Sequence, residues 1–473
     1  MCGVAGIYYF DKSRKDAAED VMLSLFAEQH RGQESCGIAI SDGHEVYKRK
    51  FMGHVKEVFT PQVLEELKGF SGIGHVRYPT RGSSVLTNAQ PYVVETLGGP
   101  VYSVASNGDI VNYEEVTMKL RAQGVHFKSN NDGELLGRYI VYHHERMGLS
   151  ITAAIRKLMK EIKGAFSTVF LTRDTLYVFR DPYGIRPLHI GEIEGGIAVA
   201  SETCALDILR AENIRAVKPG EIIAIDSNGL HSTIQDEIRF EDLKQNTYHC
   251  IFELIYFSRP DSAEFGEYVY DVRQKIGATL ASYDEFKADV VIPVPDSSNF
   301  MAIGYAQAKN IPFNFGLVRN HYVGRTFIKP NQYLRDESVR QKFNPLKDFF
   351  KDKKVVVVDD SIVRGTTLRK IVRMIRQSGA AEVHLRIGSP PVKHSCYYGI
   401  DTPTREELIA NNMTLNEIRD YVGADSLKYL KIDDLKKCVA TDNSYCYACF
   451  SGEYPIKKDI GVEKTEENIS EKI

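Results

Sequence analysis

Residues 353–375 read KKVVVVDDSIVRGTTLRKIVRMI, and this stretch does most to limit what the chain can fold into. Val355 to Val358 form a β-branched run, apolar at every position and as short as a buried strand. Such a run suits a strand covered on both faces, as the strands of a parallel sheet are. Asp359 and Asp360 follow at once, then a small loop that ends Gly365-Thr366-Thr367. Leu368, Ile371, Val372 and Ile375 then recur at the period of one helical face. A strand that passes through a hydroxyl-rich loop into a helix is a cradle for phosphate, because free N–H groups and the positive helix end face the anion together. Two carboxylates beside it can hold a ribose diol or a metal ion. The combination selects a phosphorylated ribose as ligand.

The acid pair and the Thr-Thr ending resemble the signature of phosphoribosyltransferases, enzymes that bind phosphoribosyl pyrophosphate (PRPP). The resemblance implies that Asp359 and Asp360 hold the ribose hydroxyls, while Ser361, Arg364, Gly365, Thr366 and Thr367 surround the 5′-phosphate. VPDSS puts Asp296, Ser297 and Ser298 at a second strand end, where ligands of open α/β sheets gather. In the family this turn meets pyrophosphate, which implies PRPP contacts from Ser297 and Ser298 and Mg²⁺ near Ser297, Asp359 and Asp360. Ser298 stands where glycine is commoner. Residues 320–344 are rich in Arg and Lys and lack strong periodicity. Composition alone reads them as a solvated basic loop. The resemblance reads them as a lid over PRPP, with Arg325, Arg340 and Lys342 near the phosphates.

The chain begins MCGVAGIYYF. Removal of Met1 ahead of the small Cys2 would leave a terminal residue that carries both a thiol and a free α-amine. An α-amine has a pKa of about 7.7 and can act as base for its own thiol. HRGQES at 30–35, GIGHVRYPTRGSS at 72–84, NAQPY at 88–92 and SNGDI at 106–110 follow in order, then FRDPYGIRPL at 179–188, ASET at 200–203 and KPGE at 218–221.

This series resembles the N-terminal-nucleophile glutamine amidotransferases. Joined to the phosphoribosyl loop, it is similar to one family over roughly residues 2–455, the amidophosphoribosyltransferases. The fold implied is mixed α/β and α+β. An αββα glutaminase domain spans residues 2–235, and a type I phosphoribosyltransferase domain with a mostly parallel sheet spans 250–455. The resemblance gives Cys2 the attack on the glutamine amide, and Asn107 and Gly108 the oxyanion hole. Arg77 takes the α-carboxylate of glutamine, where a guanidinium fork suits two oxygens. Asp132 takes the α-ammonium, although NNDGE departs from the family's usual Ser-Asp-Ser/Thr-Glu. The implied reaction converts PRPP and glutamine to 5-phosphoribosylamine, glutamate and pyrophosphate at the entry to purine biosynthesis. A homotetramer inhibited by purine nucleotides is implied as well.

The eight cysteines include a C-x-x-C at Cys446 and Cys449, which suggests metal or redox chemistry and fixes neither. The contexts of Cys250, Cys396, Cys446 and Cys449 resemble the branch of the family that carries a [4Fe–4S] cluster. A four-thiolate zinc site stays open beside it. Cys36, Cys204 and Cys438 read as small buried apolar residues.

A net charge of −3 gives no signal for nucleic acid, and no apolar run or secretory segment points to a membrane. The chain therefore reads as cytoplasmic. Residues 236–246 are the expected domain boundary, and residues 456–473 a charged tail. Two other functions keep part of the pattern. One is an amidotransferase with another acceptor, such as a sugar phosphate, which PRPP-dependent pyrophosphate release would separate. The other is a non-catalytic PRPP sensor, which would not need Cys2.

Overall fold

A computed structural model describes residues 1–79, 83–96, 99–234, 247–320, 342–440 and 445–456. The valine run is the centre of its second half. Strand Lys354–Asp359 lies between strands Val290–Pro293 and Glu382–Ile387, and Ser426–Tyr429 completes a sheet parallel throughout. Side chains alternate across a strand, so the run feeds two cores. Val356 and Val358 pack with Val272, Ile276, Met301 and Tyr305 of helices Val269–Ala281 and Asn299–Lys309. Val355 and Val357 pack on the other face with Leu368, Ile371, Val372 and Ile375 of helix Thr366–Gln377. Burial on both faces is why no polar residue interrupts the strand.

The first half is two antiparallel sheets stacked face to face. Strand Gly3–Tyr9 lies inside a seven-stranded sheet, flanked by Ser71–Arg77 and Gly196–Ala200. Strand Gly99–Ile110 lies in a six-stranded sheet beside Gly164–Leu171. Val4, Ala5 and Ile7 of the first sheet share one core with Val169, Leu171 and Val178 of the second. Alternate residues of the second sheet, Phe166, Phe170 and Phe179, face helices Asp132–Glu145 and Ile151–Glu161. Helix Ala17–Ala27 covers the far side of the first sheet through Val21 and Leu25. The layers therefore run helix, sheet, sheet, helix.

The halves are joined by hydrogen bonds as well as by chain. Tyr248 N–H donates to Tyr183 O at 2.8 Å, and Cys250 N–H to Ile185 O at 3.0 Å. The expected boundary, residues 236–246, lies outside the described residues, as do Arg325 and Arg340. The two ends of the basic stretch pair as a ribbon, with Arg319 opposite Phe343. Ile456, expected to open the tail, is instead buried, and its N–H donates to Tyr398 Oη at 3.0 Å. Residues 457–473 lie outside the described residues. Among the described residues no helix is long and apolar enough to cross a membrane.

Candidate active sites

Cys2 stands at the head of strand Gly3–Tyr9, where the two sheets open toward the second half of the molecule. Its N–H donates to Asn107 Oδ1 at 3.1 Å, its carbonyl accepts from Arg31 Nε at 2.9 Å, and its thiol faces Tyr78 O at 3.5 Å. With Oδ1 committed to the Cys2 nitrogen, Asn107 Nδ2 is left buried and without a hydrogen-bond partner. An orphaned donor in a buried site costs stability unless a ligand supplies the acceptor.

Gly108 follows on the same strand and stands opposite Phe166. Phe166 turns its own N–H and C=O to Asp181, at 3.2 and 2.8 Å. The Gly108–Phe166 pair therefore exchanges no ladder bonds, and the Gly108 peptide faces away from the neighbouring strand. A cavity of about 20 Å³ lies there, lined by Cys2, Arg77, Tyr78, Gln90, Ser106, Gly108, Asn131 and Asp132. Its volume matches about one water molecule. Arg77, buried at the end of strand Ser71–Arg77, donates to Glu34 Oε2 at 2.7 Å and to Ser83 O at 3.2 Å. Asp132 opens helix Asp132–Glu145, where a carboxylate meets the positive end of the helix dipole. Cys2, Arg77, Gly108 and Asp132, far apart in sequence, thus converge on one space beside Asn107.

The phosphate site is larger and more open. Asp296, Ser297, Arg319, Lys342, Asp359, Asp360 and the loop Ser361–Thr367 line one cavity of about 1710 Å³. Gly365 caps helix Thr366–Gln377 at φ +72°, a left-handed conformation that a side chain resists. Asp360 accepts from Ser297 Oγ at 2.6 Å and Ser361 Oγ at 2.5 Å. Burial, then the charge of Asp360, pushes Asp359 well above the usual carboxylate range, and Lys342 opposes the shift. Burial raises Asp360 as well, against the hydroxyls of Ser297 and Ser361. A buried acid pair that resists double ionisation suits a cation or a diol between its members. Arg364 turns outward to Glu407 at 2.6 Å. Ser298 differs from its expected role: its hydroxyl points inward to Val294 O and does not line the cavity.

Sequence reasoning did not find the buried charges beneath Cys2. Arg31 bonds Glu253 Oε1 at 2.9 Å and Oε2 at 3.1 Å and pairs with Glu202, which also takes His30 at 2.7 Å. Arg186 reaches Glu253 at 3.4 Å and donates to Tyr398 O at 2.7 Å. The network ties both halves to the strand that Cys2 heads. Arg31 and Glu202 lie within the quoted HRGQES and ASET strings, which was the available signal.

The four cysteines line one cavity from separate segments. Cys250 and Cys446 are opposite each other in a short parallel pair, and Cys396 and Cys449 line the same large cavity. Burial pushes the Cys250 thiol up to about 11, and burial with the neighbouring sulfurs raises Cys446 and Cys449 further. Thiols that raise one another's pKa suit a shared cation. Among the described residues, however, no group of three or more His, Cys, Asp or Glu side chains is drawn close enough to hold a metal ion.

A two-layered nucleophile fold followed by a parallel sheet with a phosphate loop defines a glutamine amidotransferase fused to a phosphoribosyltransferase. Residues 80–207 match the glutamine amidotransferase domain family and residues 267–387 the phosphoribosyl transferase domain family. The chain is 46% identical over 460 residues to amidophosphoribosyltransferase 1, chloroplastic, of Arabidopsis thaliana, covering 96% of this chain and 79% of that one. It is 43% identical to the amidophosphoribosyltransferase of Methanocaldococcus jannaschii, covering 98% and 99%. The structure of the B. subtilis glutamine PRPP amidotransferase complexed with ADP and GMP superposes with a TM-score of 0.87 at 40% identity, covering 98% and 99%. The chain belongs to the amidophosphoribosyltransferase family.

Proposed function

We propose that the two sites carry the halves of one reaction, the transfer of glutamine nitrogen to C1 of PRPP. Once Met1 is removed, the Cys2 α-amine takes the thiol proton and the sulfur attacks the side-chain amide carbon of glutamine. Asn107 Nδ2 and the Gly108 N–H receive the negative charge on the amide oxygen. Arg77 and Asp132 hold the α-carboxylate and α-ammonium. Ammonia leaves a γ-glutamyl thioester, which water then hydrolyses.

Ammonia in neutral water is mostly protonated and no longer nucleophilic, so it has to travel under cover. Tyr78 lines both cavities, Cys2 lines the small one and Met1 the large one. The two spaces therefore adjoin at the start of the chain. At the far end, Thr366, Thr367 and the loop N–H groups bind the 5′-phosphate, Asp359 and Asp360 the ribose diol. Ser297, Lys342 and Arg364 serve the phosphates. Mg²⁺ beside Asp359, Asp360 and Ser297 would neutralise the departing pyrophosphate. Cys250, Cys396, Cys446 and Cys449 would hold a [4Fe–4S] cluster, with zinc as the competing occupant, and either would tie three segments together. Iron and sulfide analysis of anaerobically purified protein separates them. The ADP and GMP of the B. subtilis structure support purine nucleotides as feedback inhibitors here, and our reading of the enzyme as a cytoplasmic homotetramer rests on the family resemblance.

The single observation that carries this reading is Asn107, whose amide points its oxygen at the Cys2 nitrogen and leaves its own donor buried and unpartnered. The test is the mass of the active chain together with its products. The chain should lack Met1 and release pyrophosphate from PRPP when glutamine or ammonia is supplied. Retention of Met1 in protein that fully consumes glutamine would overturn the proposal.

A further inference from the structure

Gly108 is gripped from two sides, and one grip comes from the other half of the molecule. On the glutaminase side a Cβ at Gly108 would lie 1.8 Å from Ala165 O, so strand Gly164–Leu171 leaves no slack. On the other side stands Gly399, at φ +101°. A Cβ at Gly399 would lie 3.1 Å from both C and O of Gly108 and 3.3 Å from its Cα. A side chain here would press on the Gly108 backbone and be strained at this φ, so the close approach favours glycine.

The segment that carries Gly399 is itself fixed. Arg186 Nε holds the Tyr398 carbonyl at 2.7 Å, and Tyr398 Oη donates to Ile456 O at 2.9 Å. Downstream the same segment is bonded to the phosphate loop. Ile409 N–H donates to Val363 O at 3.0 Å and Arg364 pairs with Glu407 at 2.6 Å. One continuous strap thus packs on the Gly108 carbonyl at one end and bonds to the phosphate loop at the other.

We infer that Gly399 is a positioning residue for glutamine hydrolysis: it packs against the Cα and carbonyl of Gly108 and through them fixes the backbone that carries the Gly108 N–H, so the phosphoribosyltransferase half controls the oxyanion hole of the glutaminase half. This rests on the oxyanion role proposed for Asn107 and Gly108. An oxyanion donor acts through its placement before the reaction, so a displacement of a few tenths of an ångström is enough to weaken it.

The test is Gly399→Ala in the full-length enzyme. Its kcat with glutamine should fall about tenfold or more, with the KM for glutamine little changed. Ammonia-dependent phosphoribosylamine synthesis should hold, and iodoacetamide should alkylate Cys2 at the wild-type rate, since alkylation needs no oxyanion donor. Equal loss of the glutamine and ammonia reactions would indicate general damage and overturn the inference, as would an unchanged kcat. If Gly399→Ala proves insoluble, Arg186→Lys decides the matter. It removes the fork on the Tyr398 carbonyl and should give the same selective loss of kcat, and an unaltered kcat would sink the idea. Asn107→Ala is run beside them. If it leaves kcat unchanged, the oxyanion reading itself fails. If it lowers kcat while Gly399→Ala does not, only the positioning role falls.

Discussion

The two sites solve opposite problems with opposite materials. The Cys2 site is small, with about 20 Å³ of space, and its Cys2, Arg77 and Asn107 are all buried. The phosphate site opens into about 1710 Å³, and Arg364, Thr366 and Thr367 around it are exposed. The first handles a small neutral amide, whose charge appears only in the transition state, so its donors must be set in place beforehand. The second, in our proposal, receives a ligand that arrives highly charged, and backbone N–H groups at a helix end can share in holding it. A site that works by prepositioned side chains should fail sharply when one is removed. A site that works by many backbone contacts and a cation should fail gradually.

Cys2→Ala is the sharpest break. Glutamine-dependent synthesis should drop by about 10³-fold or more, as removal of a nucleophile does, while ammonia-dependent synthesis continues. Loss of both would mean that the two sites are not separable. Asn107→Ala should come next, lowering kcat for glutamine by about 10²–10³-fold. Asp359→Asn tests the other site and should be milder for catalysis, raising the KM for PRPP about tenfold. Its effect on stability should have the opposite sign. Asp359 is held above the unfolded carboxylate range of about 3.9, so its contribution to stability is full below that pH and is lost as pH rises toward the folded value. At neutral pH the ligand-free acid pair is therefore a burden, and Asp359→Asn should raise the melting temperature of ligand-free protein by about 1–3 °C. A fall in both melting temperature and PRPP affinity would show the carboxylate to be structural.

Local features carried the phosphate site and left the charge network hidden. The valine run is continuous and buried on both faces, and the Leu368, Ile371, Val372 and Ile375 stripe lies on the face its period demands. Helix Thr366–Gln377 and the strand ahead of it are legible from that local pattern alone. The Arg31–Glu202–Glu253 triad is not, because its members are 171 and 222 residues apart and nothing local distinguishes a buried glutamate from a solvated one. Ser298 failed for a related reason. Its place in VPDSS suggested a ligand contact, but the turn directs its hydroxyl to Val294 O and leaves Ser297 to face Asp360. Ile456 is held by a tyrosine 58 residues away, so composition alone put it in the tail. The Gly399–Gly108 contact is invisible in sequence, since a glycine chosen for close approach looks like any other.

The gentlest test concerns Glu28, which lies under the nucleophile's strand and should leave catalysis unchanged. Its carboxyl accepts from the Glu202 N–H at 2.8 Å. Burial pushes its pKa up to about 8, with Arg31 pulling the other way. The folded protein thus keeps a proton that the unfolded chain gives up near pH 4.3. Between those values the unfolded state binds fewer protons, so this residue's contribution to stability falls as pH rises and levels off above about 8. Buried His75 and His189, held to about 3 and about 4, act in the opposite sense around pH 4–6. The wild-type curve alone would therefore mislead. The difference between wild type and Glu28→Gln cancels the histidines, and denaturant unfolding should show it changing by up to about 1 kcal/mol per pH unit between pH 6 and 8. A difference that stays flat across that range would mean Glu28 is ionised in the folded protein, and that the Arg31 network carries one more negative charge than its hydrogen bonds indicate.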